Sequence, residues 1–438
     1  MNSAATDAQD VRRRHREYLV PAVSTYYAES VVVKEARGLR VTDLDGRTYL
    51  DFFGGILTVS VGHAHPRVAD AIAEQARTFM HTSTLYPNAP IVDLAERLAR
   101  ITPGALRQSF FTTSGTEADE TALLMAKLYT GRSEVVALRH SYSGRSTLAM
   151  SLTGQAPWRL GPTEVPGIRH AHAPYCYRCP FGKVAGKCNY ECARDIEELI
   201  ATTTHGEIAA FIAEPIMGVG GFITPPPQYF EIAVEIVRRH GGVFIADEVQ
   251  TGFGRTGKPF GIENYGVEPE LMTFAKGLAN GAPIGATIAV PEVGAAMKGA
   301  SISTFGGNPM SMRAALATLD VMEEENLTDN AAREGQRLRA GLEELQRRFP
   351  VLGDVRGMGL MQALEFVRAE KAPAPDLVLE FFEATKERGL LLGKGGLYGN
   401  VVRIAPPMTV SPAETDEALL IIAEALEALY RQHPELAA

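Results

Sequence analysis

Apolar residues fall along this chain in two patterns that take turns. Short, almost unbroken apolar runs such as Val243-Phe-Ile-Ala246 read as strands buried on both faces. Longer stretches with apolar residues at helical spacing, such as Ala118, Ala122, Leu123, Ala126 and Tyr129, read as helices with one covered side. The runs predict strands over 134–139, 209–214, 242–249, 271–275 and 285–290, and the helical spacing predicts helices over 68–79, 91–100, 116–129, 227–240 and 308–323. Because strand and helix alternate, right-handed crossovers should assemble a mostly parallel sheet covered by helices on both faces, an α/β fold. Ahead of it, Gly38 to Asp51 alternates apolar and polar residues around Asp45-Gly46, the pattern of a hairpin. Beyond Leu327 the helices lengthen, a few strands remain near 358–366 and 401–404, and a helix over 412–433 closes the chain, the make-up of a smaller α+β domain. The expected division is an N-terminal segment, 1–64, joining the small domain and the entrance to the site, a large domain, 65–310, and a C-terminal small domain, 311–438. There is no internal repeat and no low-complexity segment.

Composition narrows the classes. A chain of 438 residues is long enough for two or three lobes around a large shared core. The formal net charge of −9 gives no electrostatic case for nucleic acid. The one basic run, Arg12-Arg-Arg-His-Arg16, reads as a solvated helix face, and no apolar core of a secretory signal follows it. No stretch approaches the ~20 uninterrupted apolar residues of a membrane span. The expectation is a cytoplasmic protein with neither membrane nor nucleic acid as partner.

Candidate chemistry gathers where the apolar runs end. Asp247 closes the run 242–247 and Lys276 follows the run 271–275. In an open parallel sheet, ligands bind at the carboxyl edge of the strands. A lysine amine there can condense with the aldehyde of pyridoxal 5'-phosphate, while a carboxylate keeps the pyridine nitrogen protonated so that the ring draws electrons from a substrate carbon. On these two residues alone, a surface lysine and a strand-end aspartate would read as well. The surrounding text decides. Ile245-Ala-Asp-Glu-Val-Gln-Thr-Gly-Phe-Gly-Arg-Thr-Gly257 and Phe274-Ala-Lys-Gly-Leu-Ala-Asn-Gly-Ala-Pro-Ile-Gly-Ala286 closely resemble the signature of class III pyridoxal-phosphate aminotransferases, in particular the alanine–glyoxylate and ω-amino acid branch. The resemblance runs from about Tyr26 to the last helix, and it implies the fold type I transferase architecture.

What the resemblance implies is carried over residue by residue. Ser114, Gly115 and Thr116, inside Phe111-Thr-Thr-Ser-Gly-Thr-Glu-Ala118, are expected at the cofactor phosphate. Simple capping of the next helix would also explain them. Thr113 stands where the family usually has Asn. Tyr142 is expected to stack on one face of the pyridine and Val249 on the other, with Ser143 where the family usually has His. Gln250 is expected at the phenolic oxygen, and Asp247 and Lys276 are the expected catalytic residues. Thr304, in Ser303-Thr-Phe-Gly-Gly-Asn-Pro309, is expected to reach the phosphate of a neighbouring subunit, which makes a homodimer the minimum unit, alone or as a dimer of dimers. Glu214 and Arg403 are expected to bind substrate, the guanidinium taking a carboxylate and the glutamate neutralising it when another substrate enters. A structural ion pair between them is the competing reading. Tyr26, Tyr27, Phe52 and Phe53 are expected as pocket walls. The implied activity is ping-pong transamination from an amino acid or ω-amino donor to a keto acid such as pyruvate, glyoxylate or 2-oxoglutarate. The alternative is a lyase that eliminates ammonia or phosphate from an amino phosphonate or phosphorylated amine.

All four cysteines fall in one loop, 170–192, spaced C-x2-C-x8-C-x3-C as Cys176, Cys179, Cys188 and Cys192. That spacing suits a structural zinc site of four thiolates, with His170 and His172 as spare ligands. Free thiols or disulfides are the other readings.

Overall fold

The computed structural model describes residues 7–162 and 164–437. Its centre is a seven-stranded sheet whose order in space is Gln108–Thr112, Gly285–Ala289, Leu271–Phe274, Val243–Asp247, Ala210–Ala213, Val135–Leu138 and Ile168–Ala171. Gly285–Ala289 runs antiparallel to both neighbours, and every other pairing is parallel. Buried on both faces, the inner strands carry apolar residues at nearly every position. The helices Pro66–Thr78, Ala89–Ile101, Gly115–Thr130, Tyr229–Arg239 and Pro309–Glu324 match the predicted positions to within a few residues. Two strands have no sequence counterpart. Gln108–Thr112 and Ile168–Ala171 lie at the two edges of the sheet, where half-exposed polar residues replace the apolar run.

Two smaller sheets flank the large one. The predicted hairpin forms between Arg40–Asp43 and Thr48–Asp51, and Leu390–Leu391 pairs in parallel beside Thr48–Asp51, so the N-terminal segment is built into the C-terminal region. The second sheet orders Leu352–Met358, Met361–Phe366, Val401–Ile404 and Gly393–Gly395. The helices Leu327–Arg348 and Pro412–Gln432 pack on each other, and Leu327–Arg348 also packs on the second sheet. The basic run lies in the helix Ala8–Tyr18, where Arg13 pairs with Asp10 and Glu17, as a solvated helix face requires. Among the described residues no helix is long and apolar enough to cross a membrane.

Candidate active site

Strand ends and one helix start converge on a cavity of about 340 Å³. Ser114, Gly115, Thr116, Tyr142, Asp247, Val249, Gln250, Lys276 and Glu214 all line it. Two expected site residues do not. Arg403 is buried one layer away, and Thr304 is exposed in the turn before the helix Pro309–Glu324.

Asp247 ends its strand with a buried carboxyl that accepts the Val249 N–H at 3.0 Å. Burial pushes its pKa up to about 6, against the pull of that N–H and the nearby Lys276. Lys276 opens a short 3₁₀ turn with φ +42°, in the left-handed region that side chains other than glycine seldom adopt. Burial lowers its pKa, while Asp247 and Glu214 work the other way. An amine so placed is easier to deprotonate, which both a nucleophile and a proton carrier need. The helix Gly115–Thr130 begins under this pair. Its cap Ser114 takes the Glu117 N–H at 3.3 Å, and Glu117 in turn accepts from Thr113 N at 2.7 Å. The N–H groups of Gly115 and Thr116 have no partner within a helix, so capping and anion binding coexist here.

Glu214 and Arg403 meet through a peptide rather than through each other. Glu214 Oε1 accepts the Tyr142 N–H at 3.0 Å, and Oε2 accepts the Gly218 N–H at 2.7 Å. Arg403 donates from Nε to the Lys394 carbonyl at 2.9 Å and from Nη1 to the Gly218 carbonyl at 3.3 Å. Its guanidinium lies over Phe53, 4.7 Å from the ring centroid, with the Tyr26 hydroxyl beside it. Among the described residues Arg403 has no carboxylate within 4.0 Å, so the structural ion pair does not form. Burial, then the charge on Asp247, pushes the Glu214 carboxyl up to about 8. A neutral glutamate leaves Arg403 unclaimed. An added Cβ at Gly218 would lie 2.1 Å from the Gln250 amide, so a side chain here would displace the end of Gln250. Of the expected walls, Tyr26 and Phe53 border Arg403, whereas Phe52 lies in the core and Tyr27 packs on Phe382 and holds the Leu392 N–H.

The structure adds residues that the sequence reading left out. Asp119 and Arg145 line the cavity, and Arg145 lies three residues beyond Tyr142 in the sequence. Glu248, buried beside Asp247, accepts from Thr251 Oγ1 at 2.5 Å, Gly261 N at 2.9 Å and Ile262 N at 2.7 Å. It thereby fixes the loop that carries Val249 and Gln250.

The cysteine loop is not arranged as expected. All four thiols are free and half-buried, and they line one cavity of about 20 Å³. Among the described residues, no three His, Cys, Asp or Glu side chains are grouped so as to hold a metal ion, so the expected zinc site is not supported. His170 is committed to the Leu152 carbonyl at 3.0 Å and His172 to Arg139 at 3.1 Å. The loop is ordered by polar anchors instead. Arg178 Nε meets the fully buried Glu365 at 2.5 Å, the Tyr175 hydroxyl donates to the same carboxylate, and Lys371 reaches the Tyr177 carbonyl at 2.9 Å.

A lysine and an acid at the carboxyl edge of a parallel sheet, over a helix start that can take an anion, define a pyridoxal-phosphate site of fold type I. The residues fit that cofactor: among the described residues the buried Gln250 Oε1 has no partner, and a Cβ on Gly115 would press on Val249 at 3.2 Å. Residues 23–426 match the family described as Aminotransferase class-III. Alanine–glyoxylate aminotransferase 2 homolog 2, mitochondrial, of Arabidopsis thaliana is 42% identical over 412 residues, covering 93% of this chain and 85% of that protein. A solved Bacillus anthracis aminotransferase superposes with a TM-score of 0.90 at 32% identity, over 96% of this chain and 98% of its own. A phospholyase from Arthrobacter in complex with phosphoethanolamine does so with a TM-score of 0.87 at 32% identity, over 96% and 100%. The chain belongs to the class-III aminotransferases; it is an enzyme, a transaminase, and the family implies pyridoxal phosphate as its cofactor.

Proposed function

We propose that this enzyme moves an amino group from alanine or an ω-amino donor to a small keto acid, pyruvate, glyoxylate or 2-oxoglutarate, by a ping-pong route. Bound in the cavity, pyridoxal phosphate supplies an aldehyde for the Lys276 amine and a ring that withdraws electrons once its nitrogen is protonated. Asp247 holds that proton. Gly115 and Thr116 offer N–H groups to the phosphate, and Tyr142, Val249 and Gln250 fix the ring. Lys276, once displaced by the amino donor, would carry a proton from the substrate carbon to the former aldehyde carbon of the cofactor, a role that its lowered pKa favours. The observation that carries the reading is Arg403, buried and among the described residues without a carboxylate partner, set across Gly218 from Glu214. Such a pair admits a substrate carboxylate in one half-reaction and releases the site for a different group in the other. The proposal includes a homodimer to which Thr304 contributes across the interface, and a cytoplasmic location that cell fractionation tests.

The phospholyase likeness supports a second reading, elimination from a phosphorylated amine. Supplying L-alanine without an acceptor separates the two. A transaminase forms one equivalent of keto product per site and no ammonia; continued ammonia release, or phosphate release from phosphoethanolamine, supports the lyase. For the cysteine loop, zinc would require the four sulfurs to draw together from where they stand. One zinc per chain in enzyme purified without chelator would support it, and none would remove it.

A further inference from the structure

The acid that faces the ring nitrogen has a second acid behind it. Asp119 sits one turn into the helix Gly115–Thr130, only 1% exposed, and its Oδ1 accepts the Thr273 hydroxyl at 2.7 Å. Thr273 is paired in register with Asp247 across adjacent strands, and it is fully buried. Asp247 and Asp119 line the same cavity, Asp119 holds the hydroxyl of the threonine paired with Asp247, and the charge on Asp247 opposes charge on Asp119. Among the described residues no cation pairs with Asp119. Glu214 at the end of Ala210–Ala213 and Glu248 next to Asp247 add further carboxyls, while Lys276 is the nearest cation, with Arg403 beyond it. Two neighbouring carboxyls held away from water resist ionising together, so the pair retains a proton.

We infer that Asp119 is a positioning residue that keeps this shared proton and donates it as a hydrogen bond to Asp247, aiming the Asp247 carboxylate into the cavity. The asymmetry has a structural source. Asp247 has the Val249 N–H and Lys276 to stabilise its charge, whereas burial and Asp247 itself both disfavour charge on Asp119. Asp247 is therefore the partner that ionises, and Asp119 the one that donates. A carboxylate that receives a hydrogen bond is a weaker base than a bare one. Asp119 thus limits how far Asp247 pulls the proton from the ring nitrogen, and holds that nitrogen's partner in one orientation.

The role in catalysis rests on the cofactor-site reading; the shared proton does not, and the test separates them. Asp119→Asn keeps a donor and removes the titration, so kcat should stay within about threefold of wild type, whereas Asp119→Ala should lose about tenfold or more, with the donor KM unchanged. Melting of the full-length enzyme reads the proton directly. A group protonated only in the folded state stabilises below its unfolded pKa and loses that contribution as pH rises toward its folded pKa. From about pH 5 to about pH 8 the wild type should therefore lose stability relative to Asp119→Asn. Thr273→Val, which removes a donor that favours the ionised form, should extend that loss to higher pH. An Asp119→Asn variant as impaired as Asp119→Ala would mean that Asp119 acts ionised. A melting difference independent of pH, or a Thr273→Val shift to lower pH, would mean that no proton is shared. Normal proton linkage with unaltered kcat in both Asp119 variants would instead overturn the positioning role alone.

Discussion

Gly218 joins the two groups proposed to sort substrates. Its N–H goes to Glu214 and its carbonyl to Arg403, so the acid and the cation are held apart at fixed distance instead of neutralising each other. Arg403→Ala should raise KM for the keto acid by about tenfold to a hundredfold, the worth of one charge-assisted pair at roughly 1.5–3 kcal/mol, in steady-state assays. The pH dependence follows from Glu214. Burial and the charge on Asp247 push its carboxyl up to about 8; above that value its negative charge, one residue away across Gly218, repels a substrate carboxylate arriving at Arg403. KM for the keto acid should rise as pH passes that value, and Glu214→Gln should flatten the rise. A wild-type KM flat with pH would remove Glu214 from substrate selection. The cavity-lining motif residues were reached through the family-like segments that carry them, because strand-end position alone reads equally well as a surface lysine and aspartate. Asp119 was not, since a polar residue on the first turn of a helix reads as solvated until the sheet is laid over it.

At the level of elements, the inner strands and five of the helices around them were predictable from hydropathy, because burial leaves few polar positions on their covered sides, whereas the helix Glu191–Thr203, which starts inside the cysteine loop, was missed. The edge strands Gln108–Thr112 and Ile168–Ala171 were missed too, since half of an edge strand faces water and its pattern dissolves. The cysteine loop misled for a related reason. Its order comes from residues far away in sequence, and spacing within the loop cannot reveal them. Glu365, in the strand Met361–Phe366, accepts from Arg178 and Arg356 and from the Tyr175 hydroxyl, and it is fully buried. Burial opposes its charge, but Arg356 and the hydrogen bonds prevail and hold its pKa below the usual carboxylate range. Arg356 also donates to the Gly221 carbonyl at 2.8 Å, tying this cluster to the segment that carries Gly218. Glu365→Ala removes the carboxylate partner of the part-buried Arg178 and leaves the buried Arg356 with Asp354 for its carboxylate, so it should lower stability in urea unfolding and speed thiol labelling of Cys176 and Cys192. Unchanged stability and labelling would mean that the loop is held by other contacts.

For the whole molecule, the cavity and the exposed turn around Thr304 belong to one account. Ile302 and Phe305, on either side of Thr304, are 58% and 62% exposed, an apolar display that a two-fold partner would cover. Thr304→Ala should leave a folded dimer with weakened cofactor retention, and Phe305→Asp should yield monomers with little activity in sedimentation and dilution assays. A fully active monomer would contradict the shared site. The expectations for catalysis and cofactor retention depend on Lys276 being the residue that holds the cofactor between Asp247 and the phosphate loop. Hydride reduction of the purified enzyme followed by peptide mass mapping tests that directly. The cofactor mass should appear on the peptide containing Lys276 and be absent from it in Lys276→Ala, which should also lose nearly all turnover. Label on a different lysine, or full turnover in Lys276→Ala, would contradict the account.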